Sequence, residues 1–483
     1  MFDKLQNFIS KFILICVALL MSIVLIQMGI FYSTFHIAEE PVLSVLVLIC
    51  AIALVILVGY LLVRLKDDPK INRVVLITML IVFFLIGLFW LKFTPNEQLS
   101  DFATFWGKSQ DALQGRAIYK TDNDYFAKWA YQTGYLVYVM GIIKLFGAHV
   151  LVLQVLNVLY QTLTLLVVYK LAMKIFDNVK IARLSVLLLM VDLDWFAMSP
   201  QNNNSYLGTL LFLVTFYLLM HDKYWHYILA GLTLALGNVI RPIGPVAIAG
   251  IVVFAILYKF YDKKINFQNI LKLAVTFIIY LMVFSAVGLA IKSSGLNEYG
   301  ISNRDSEWKF VTGLDYNTNG IYDQNVVDSI DMTQSRKKVS KQEYKVIHEE
   351  INYLNENNKW IPLFWNKLAI MWANRSSAID FANIRQNHSE KVVGLVNLVS
   401  YMGTVLLVIF GWIGSLRLFK ISYNKNIFLL LLPFMAYVAV QLLIEVQGRY
   451  RIEFTPVWAI IAGVGLYSIS SWINSKRRKD LSV

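Results

Sequence analysis

The sequence has little charge and almost no cysteine. Asp, Glu, Lys and Arg make up 16% of its 483 residues, whereas a soluble globular domain has about 25%. The two cysteines, Cys16 and Cys50, both lie inside apolar runs. They predict inert thiols packed among apolar side chains and carry no information about a redox compartment. The low charge argues against a soluble globular enzyme.

Motifs for nucleotides, metals and nucleic acids are also missing. There is no Gly-x-x-x-x-Gly-Lys phosphate loop and no dinucleotide fingerprint. The six histidines lack zinc-ligand spacing, and His221 and His226 lie five residues apart in a short loop. The net charge of +13 is distributed over short loops and forms no basic face. The sequence therefore supports no bound metal, a divalent cation included, and no nucleic-acid partner.

Long apolar runs are what the sequence has instead. Hydrophobic residues make up 58% of the chain, and about 20 apolar residues suffice to cross a bilayer. Twelve runs approach or exceed that length: Phe8–Phe31, Val42–Val63, Val74–Leu91, Val150–Tyr169, Ile181–Met198, Tyr206–Met220, Trp225–Ile240, Ile243–Phe260, Ile270–Ile291, Val392–Leu418, Ile427–Ile444 and Ile452–Ile473. The first is too long for the core of a signal peptide, so it is predicted to be a retained helix.

Loop charges predict the orientation of these runs. With Lys4 and Lys11 inside, the acidic Glu39–Glu40 loop lies outside. The later basic loops then fall inside only if the shorter apolar segment Gly134–Phe146 does not cross. That segment is therefore predicted to lie at the membrane interface. The sequence predicts an all-α polytopic protein of the plasma membrane with about twelve spans and both termini in the cytoplasm.

This topology divides the chain into four consecutive parts: residues 1–72, 73–291, 292–391 and 392–483. The first holds two N-terminal transmembrane helices to which the sequence assigns no role. The second is a transmembrane half that contains the candidate catalytic loop around Asp101. The third is a hydrophilic extracytoplasmic segment, too long for a simple connector. The fourth holds the C-terminal helices together with Arg449 and Arg451.

Asp101 is the candidate catalytic residue. It follows the run Val74–Leu91 and is flanked by Phe102, Phe105 and Trp106. Aromatic neighbours would desolvate the carboxylate and raise its basicity, which suits a general base that takes a proton from a hydroxyl group. The alternative is that Asp101 is the N-cap of the amphipathic helix that follows, because Asp is favoured at that position.

Three arginines lie near predicted outer ends of apolar runs. Arg241 stands at a break between two runs, and Arg449 and Arg451 follow another run, with Tyr450 between them. The guanidinium fork binds phosphate with several donors at once, so these residues are candidates for holding a lipid phosphate. The alternative is that Glu445, four residues before Arg449, neutralises it. Glu445 is also placed to orient the guanidinium.

Two further sets of residues suit sugar binding. The uncharged run Asn202–Ser205 lies at a third outer end, and its amides suit sugar hydroxyls, although an ordinary turn has the same composition. Trp308, Trp360 and Trp365 of the extracytoplasmic segment are candidate stacking platforms for a sugar. Their alternative is to anchor the chain at the interface.

The order and spacing of these motifs resemble the GT-C glycosyltransferases, polytopic enzymes that take a sugar from a polyprenyl-phosphate carrier. The likeness is to the bacterial branch similar to protein O-mannosyltransferases and lipid A aminoarabinose transferases. It rests on five motifs: Asp101-Phe-x-x-Phe-Trp, Tyr135-x-x-Tyr138 up to Gly147, Gly231 to Pro242, Gly313 to Gly320, and Glu445-x-Gln-Gly-Arg449-Tyr-Arg451. The first two apolar runs, Phe8 to Val63, fall outside the resemblance.

The resemblance implies a GT-C-like fold of about twelve transmembrane helices, with interfacial helices in the first external loop. It implies that Asp101 is the general base and that Arg241, Arg449 and Arg451 hold the donor phosphate. Residues in supporting positions are Glu445, Tyr450, Trp106 and Asn202. The implied partners are a polyprenyl-phosphate sugar, membrane lipids, and an acceptor that is a cell-envelope glycan, a lipid or a protein.

The sequence departs from the family at two points. Ser100 stands where some members have a second acidic residue, which does not favour a metal-dependent variant. The His-Pro-Pro signature of protein O-mannosyltransferases is absent, so a protein acceptor is not favoured over a glycan or a lipid. Two other functions remain open from the sequence. They are a polymerase or ligase of lipid-linked oligosaccharides, and a flippase or transporter of lipid-linked sugars.

Overall fold

The computed structural model describes residues 2–34, 41–262 and 264–480. In these ranges the fold is helical, apart from an antiparallel hairpin of two short strands, β1 Tyr261–Asp262 and β2 Lys264–Ile265. The predicted all-α fold class is confirmed. The Glu39–Glu40 loop, which helped to set the predicted orientation, lies outside the described residues.

The first six helices lead up to and include the loop around Asp101. They are α1 Phe2–Thr34, α2 Pro41–Arg64, α3 Pro69–Phe93, α4 Ser100–Leu113, α5 Tyr125–Lys128 and α6 Thr133–Phe146. The start of α3 is well specified, because the Asp68 side chain accepts from two backbone N–H groups and Pro69 occupies the first helical position. Helix α6, the segment Gly134–Phe146 of the sequence, has 14 residues and measures about 21 Å, too short to cross.

The next seven helices form the middle of the bundle. They are α7 Val150–Phe176, α8 Val179–Met190, α9 Leu193–Phe196, α10 Ser205–Leu219, α11 Tyr224–Ile240, α12 Gly244–Phe254 and α13 Phe267–Ser293. Helix α12 continues as a π-helical turn, Ala255–Lys259. The break between α11 and α12 falls at Arg241–Pro242, because proline cannot continue a helix.

Residues 292–391, called the outer segment after their predicted position, and the C-terminal part complete the fold. Their helices are α14 Trp308–Gly313, α15 Gln324–Asp328, α16 Arg336–Glu356, α17 Trp360–Leu368, α18 Glu390–Arg417, α19 Phe428–Leu443 and α20 Thr455–Asp480. A π-helical turn, Ala369–Ala373, extends α17. A 3₁₀ helix, Gly448–Glu453, precedes α20.

Within the described part of the chain, eight helices are long and apolar enough to span a membrane: α1, α2, α3, α7, α13, α18, α19 and α20. The protein is therefore a multi-pass membrane protein. The other four predicted runs form α8, α10, α11 and α12, which have 11 to 17 residues. Helices of that length measure about 17–26 Å, less than the hydrocarbon thickness. The predicted count of about twelve spans is therefore not confirmed.

Helix α20 packs at the centre of the bundle. Its contact with α18 depends on glycine, because a Cβ atom on Gly465 would lie 2.0 Å from the carbonyl oxygen of Phe410. Its contact with α8 is equally close, since a Cβ atom on Gly463 would lie 2.2 Å from the Ser185 Oγ atom. Small residues that let two backbones approach are a common way to pack helices in a membrane.

The two N-terminal helices pack against the C-terminal ones. Trp412 of α18 donates to the Ser22 hydroxyl of α1 at 3.1 Å, and Gly59 of α2 approaches Leu466 of α20. The Gln27 side chain of α1 donates to the backbone carbonyl of Trp365 at 2.7 Å. Helix α1 therefore braces α17, which belongs to the outer segment.

Candidate active site at the polar end of the bundle

The structure brings Asp101 and Arg449 together across 348 residues of sequence. Asp101 lies in the first turn of α4 and Arg449 in the 3₁₀ helix before α20. The Arg449 Nη2 atom lies 3.4 Å from the Asp101 Oδ2 atom. Ser100, just before Asp101, has a φ of +50°, an uncommon conformation for a residue other than glycine. The chain therefore turns sharply where it presents the candidate base.

Asp101 does not cap its helix. Leu99 occupies the N-cap position, and no side chain there accepts a backbone hydrogen bond. The Asp101 side chain is 41% exposed, so it is covered less than its aromatic neighbours predicted. Successive helical side chains point about 100° apart. Phe102 and Phe105 are therefore both buried, while the Asp101 side chain is exposed. Trp106 is half-buried and packs in the cluster that contains Phe105.

Arg449 is held by neutral and aromatic groups. Its Nε atom donates to the Gln447 side chain at 2.6 Å, and its guanidinium lies 4.5 Å from the ring centre of Phe381 and 5.2 Å from that of Phe102. The side chain is 9% exposed. Asp101 is its one ion-pair partner among the residues that the structure describes. This arrangement holds a positive charge next to the candidate base.

Glu445 does not pair with Arg449, contrary to that sequence alternative. An i,i+4 pair needs an α-helix, but the chain is extended at Gln447 before the 3₁₀ helix begins. Glu445 instead lies 2.5 Å from the Lys309 Nζ atom and accepts from the Gln447 side chain at 2.6 Å. Since Gln447 also accepts from Arg449, Glu445 orients the guanidinium through one intervening amide.

Lys309 and Glu445 stabilise each other's charged forms. Burial opposes the charge on both side chains, yet Glu445 raises the pKa of Lys309 and Lys309 lowers the pKa of Glu445. Lys309 belongs to α14 of the outer segment, 136 residues before Glu445. The outer segment therefore supplies one of the charges beside the candidate site.

Arg241 lies near the same tyrosine ring as Arg449, that of Tyr450. The guanidinium carbon of Arg241 is 5.4 Å from the Tyr450 ring centre, and that of Arg449 is 5.7 Å from it. Arg241 also pairs with Glu453 at 2.7 Å and donates to Asn204 at 3.3 Å. Its Nε atom is buried and has no hydrogen-bond partner in the structure. One donor of Arg241 is therefore left for a further acceptor.

Arg451 does not belong to this group, which corrects the prediction that it holds a phosphate. Its Nε atom donates to Asp194 at 3.1 Å, and its two terminal nitrogens donate to the Asn374 carbonyl and the Thr404 hydroxyl. It is buried, and the cavity that it lines has a volume of about 20 Å³, room for about one water molecule. In a 3₁₀ helix of three residues per turn, side chains two positions apart point in different directions, and Arg449 and Arg451 consequently face different sides.

Asp194 is a residue that the sequence interpretation missed. It is buried beside Ser400, Thr404 and Arg451. The signal was present in Asp192-Leu-Asp194, because acidic residues within an apolar run need a partner. These carboxylates interrupt the predicted span Ile181–Met198, and helix α8 ends at Met190.

Asn202 is a buried structural residue, so the alternative reading of its run as a turn fits the structure. Its side-chain oxygen accepts from the Tyr135 hydroxyl at 2.7 Å, and its backbone N–H donates to Gln98 at 2.5 Å. Gln201 next to it donates to the backbone of Glu97. Asn202 is fully buried, so a sugar does not reach it, and its run supports the loop that carries Asp101.

The outer segment packs against the stretch of chain just before Arg449 and forms hydrogen bonds with it. A Cβ atom on Gly313 would lie 2.3 Å from the backbone of Ile444, and Val446 donates to the carbonyl of Gly320 at 2.8 Å. The buried amine of Lys367 donates to the carbonyls of Gly313 at 2.6 Å and Ile444 at 2.8 Å. The glycine-rich stretch of the sequence is therefore the contact between the outer segment and the candidate site.

Burial lowers the pKa of Lys367 to about 7. The unfolded chain binds this proton below about pH 10.4, so between pH 7 and 10 it holds more protons than the folded chain, and stability rises with pH. We expect the free energy of unfolding of the wild type to increase by about 2 kcal/mol between pH 7 and 9, relative to that of a Lys367→Met variant. Thermal unfolding of both proteins over this range measures the gain. The exposed Lys391 provides a matched Lys391→Met control, and an equal gain in all three proteins contradicts the assignment.

One group of carboxylates in the described ranges has the spacing of metal ligands. It comprises Asp305, Glu307 and Glu343 of the outer segment. Arg336 pairs with Asp305 at 2.7 Å and also with Glu343, and Lys128 lies 3.2 Å from Asp305. Arg336 and Lys128 therefore already neutralise much of the negative charge that a metal ion would neutralise. The group therefore ties α16 to α5 as an ion-pair network.

Residues 135–289 match the family model described as dolichyl-phosphate-mannose-protein mannosyltransferase. The predicted resemblance to GT-C glycosyltransferases is confirmed. The match covers about a third of the chain. The matched part contains Arg241 and Asn202, whereas Asp101 and Arg449 lie outside it. None of the curated proteins matches the chain by sequence.

Three solved structures are similar in fold at a distance. Two are oligosaccharyltransferases from Archaeoglobus fulgidus: AglB, in complex with an inhibitory peptide and a dolichol-phosphate, and one tethered with an acceptor peptide containing the NVT sequon. They cover 84% and 81% of this chain at 14% and 13% identity, with TM-scores of 0.47 and 0.44. The third, ArnT from Cupriavidus metallidurans bound to undecaprenyl phosphate, covers 81% at 10% identity with a TM-score of 0.39.

The chain spans 52% and 49% of the two archaeal structures and 76% of ArnT. At this identity the likeness identifies no individual residue.

Proposed function

We propose that this protein is a membrane glycosyltransferase that moves a sugar from a polyprenyl-phosphate donor to an acceptor hydroxyl. The observation that carries the proposal is the 3.4 Å contact between Asp101 and Arg449. It joins a partly exposed carboxylate, which can accept a proton, to a guanidinium, which can bind a phosphate. The description of the matched family names a dolichyl-phosphate-linked sugar, which supports this donor class.

In the proposed reaction, Asp101 takes the proton from the acceptor hydroxyl. The hydroxyl oxygen then forms a bond to the anomeric carbon of the sugar, and the bond from that carbon to the phosphate oxygen breaks. The electron pair leaves with the lipid phosphate, whose charge rises from about −1 to about −2. A carboxylate at hydrogen-bond reach of the hydroxyl contributes about 10²–10⁴-fold to such a step.

Arg449 and Arg241, which both lie near the Tyr450 ring, are proposed to hold the phosphate. Among the described residues, the Nε donor of Arg241 has no hydrogen-bond partner, and Asp101 is the ion-pair partner of Arg449. Fixed donors aimed at a leaving group stabilise the charge that develops in the transition state. The Tyr450 hydroxyl donates to Glu445 at 3.3 Å, which holds the ring beside both guanidinium groups.

The site is proposed to lie on the extracytoplasmic side of the plasma membrane, with both termini in the cytoplasm. Two observations support this orientation. Helix α3 ends, and helix α7 begins, beside the loop that contains Pro200, because Gln98 and Gln154 both donate to its carbonyl. The last turn of α2, which leads into the start of α3, contains Arg64, and the last turn of α7 contains Lys174. These basic residues lie at the ends away from Asp101, as the positive-inside rule requires.

Arg449→Gln tests the phosphate site directly. Loss of a charge-assisted contact to phosphate removes about 1.5–3 kcal/mol, so we expect the KM for the donor to rise about tenfold or more. The assay incubates the purified protein with radiolabelled polyprenyl-phosphate hexoses and membrane extract as acceptor. Arg375→Gln removes an outer arginine that pairs with the exposed Asp380 and is the matched control. An unchanged donor KM in Arg449→Gln excludes the phosphate role.

A further inference from the structure

We propose that the protein has a second anion site, for a phosphate-bearing headgroup, at the membrane surface opposite the candidate active site. A cavity of about 430 Å³ lies there among the ends of α7, α10 and α12 and the loop before α19. This volume is within the range of small-molecule sites, about 300–1,000 Å³. The site is independent of the proposed glycosyltransferase activity.

The length of helix α7 shows where the cavity lies relative to Asp101. Its first turns contact the loop beneath Asp101, since Gln154 donates to the carbonyl of Pro200, and its last turn carries Lys174. The 27 residues of α7 measure about 40 Å, which matches a bilayer with its headgroups. Lys174 therefore lies at the opposite surface from Asp101, at the level of lipid headgroups.

The cavity walls carry more positive than negative charge. Lys174, Lys259 and Lys425 line it, against one carboxylate, Asp222. Asp222 is 84% exposed and lies 3.9 Å from the Lys259 Nζ atom, so solvent screens this pair and it is weak. Lys174 makes no ion pair within the described residues. The cavity consequently keeps an excess of positive charge for a ligand to neutralise.

The rest of the lining suits an anion attached to an apolar group. Met220 and Phe254 form the apolar part of the wall, and Asn424 stands beside Lys425 in the loop before α19. The backbone N–H of Asn424 donates to the carbonyl of Ile175 at 2.7 Å, which fixes this loop against the last turn of α7. Basic pockets between transmembrane helices are a recurrent binding place for anionic lipid headgroups.

The test compares three probes on the detergent-purified protein: short-chain phosphatidylglycerol, short-chain phosphatidylcholine and inorganic phosphate. We expect phosphatidylglycerol to raise the melting temperature saturably. In the double variant Lys174→Gln, Lys259→Gln the half-saturating concentration should increase about tenfold or more, because each lysine near a lipid phosphate contributes to binding. The single variant Lys174→Gln changes an exposed, unpaired residue, so it provides the same readout if the double variant folds poorly.

The control variant Lys66→Gln, Lys70→Gln removes the same charge from two exposed lysines outside the cavity, Lys66 in the loop after α2 and Lys70 in the first turn of α3. Its half-saturating concentration should stay within about twofold of the wild type. An equal effect of inorganic phosphate supports the site with a soluble phosphate as ligand, whereas an effect of phosphatidylglycerol alone supports a lipid headgroup. A response to phosphatidylcholine as strong as that to phosphatidylglycerol, no response in the wild type, or equal weakening in the control overturns the proposal.

Discussion

Asp101→Asn is expected to lower the rate of sugar transfer by about 10²–10⁴-fold, the contribution of a positioned general base. The amide keeps the shape of the side chain but cannot take a proton from the acceptor. It also leaves Arg449 without its ion-pair partner, so the donor phosphate should bind at least as well as before. The expected signature is therefore a large loss of kcat without a rise in donor KM, measured with the radiolabelled donor assay.

Asp111→Asn is the matched control for this prediction. Asp111 lies on the same helix as Asp101, where it pairs with Arg116 at 2.8 Å and with Lys108 at 3.3 Å. The substitution makes the same chemical change away from Arg449, and we expect transfer within about threefold of the wild type. Transfer at the wild-type rate by Asp101→Asn would show that another group removes the proton.

Arg451→Met is expected to destabilise the protein by about 3–5 kcal/mol, because it leaves the buried Asp194 without its ion-pair partner. The hydrogen bonds of Arg451 to Asn374 and Thr404 are lost with it. Adding Asp194→Asn to Arg451→Met removes the unpaired charge, so the double variant should regain part of the loss. Melting temperatures of the purified proteins in one detergent measure the series.

An exposed ion pair provides the control for the buried one. Arg385 and Glu390 lie 3.1 Å apart, and their side chains are 73% and 74% exposed. Arg385→Met should therefore lower the free energy of unfolding by less than about 1 kcal/mol. A similarly small effect of Arg451→Met would mean that Asp194 finds another partner. It would also reopen a role for Arg451 in binding a ligand.

The sequence predicted the helices better than the spans. Each of the twelve apolar runs contains a helix of the structure, because apolar composition and the absence of breakers determine where a membrane helix forms. Composition does not show where a run stops being helical. Ile181–Met198 reads as one span, but Asp192 and Asp194 interrupt it after Met190.

The candidate site was only partly predictable. Asp101 and Arg449 were singled out because charged residues at the ends of apolar runs need a polar environment, and the structure places them in contact. The interpretation of Arg451 failed because the direction of its side chain depends on the local 3₁₀ helix, which motif spacing does not show. The pairing of Lys309 with Glu445 depends on how the outer segment docks, and residues 136 positions apart carry no local signal of it.

Under the proposed function, the glycine contact between Gly313 and Ile444 links the binding of the donor to that of the acceptor. A side chain has no room there, and the chain continues within five residues to Arg449. An acceptor that displaces the outer segment would therefore also displace the guanidinium that faces the donor. By thermodynamic reciprocity, a donor that fixes the guanidinium would then change the affinity for the acceptor by the same factor.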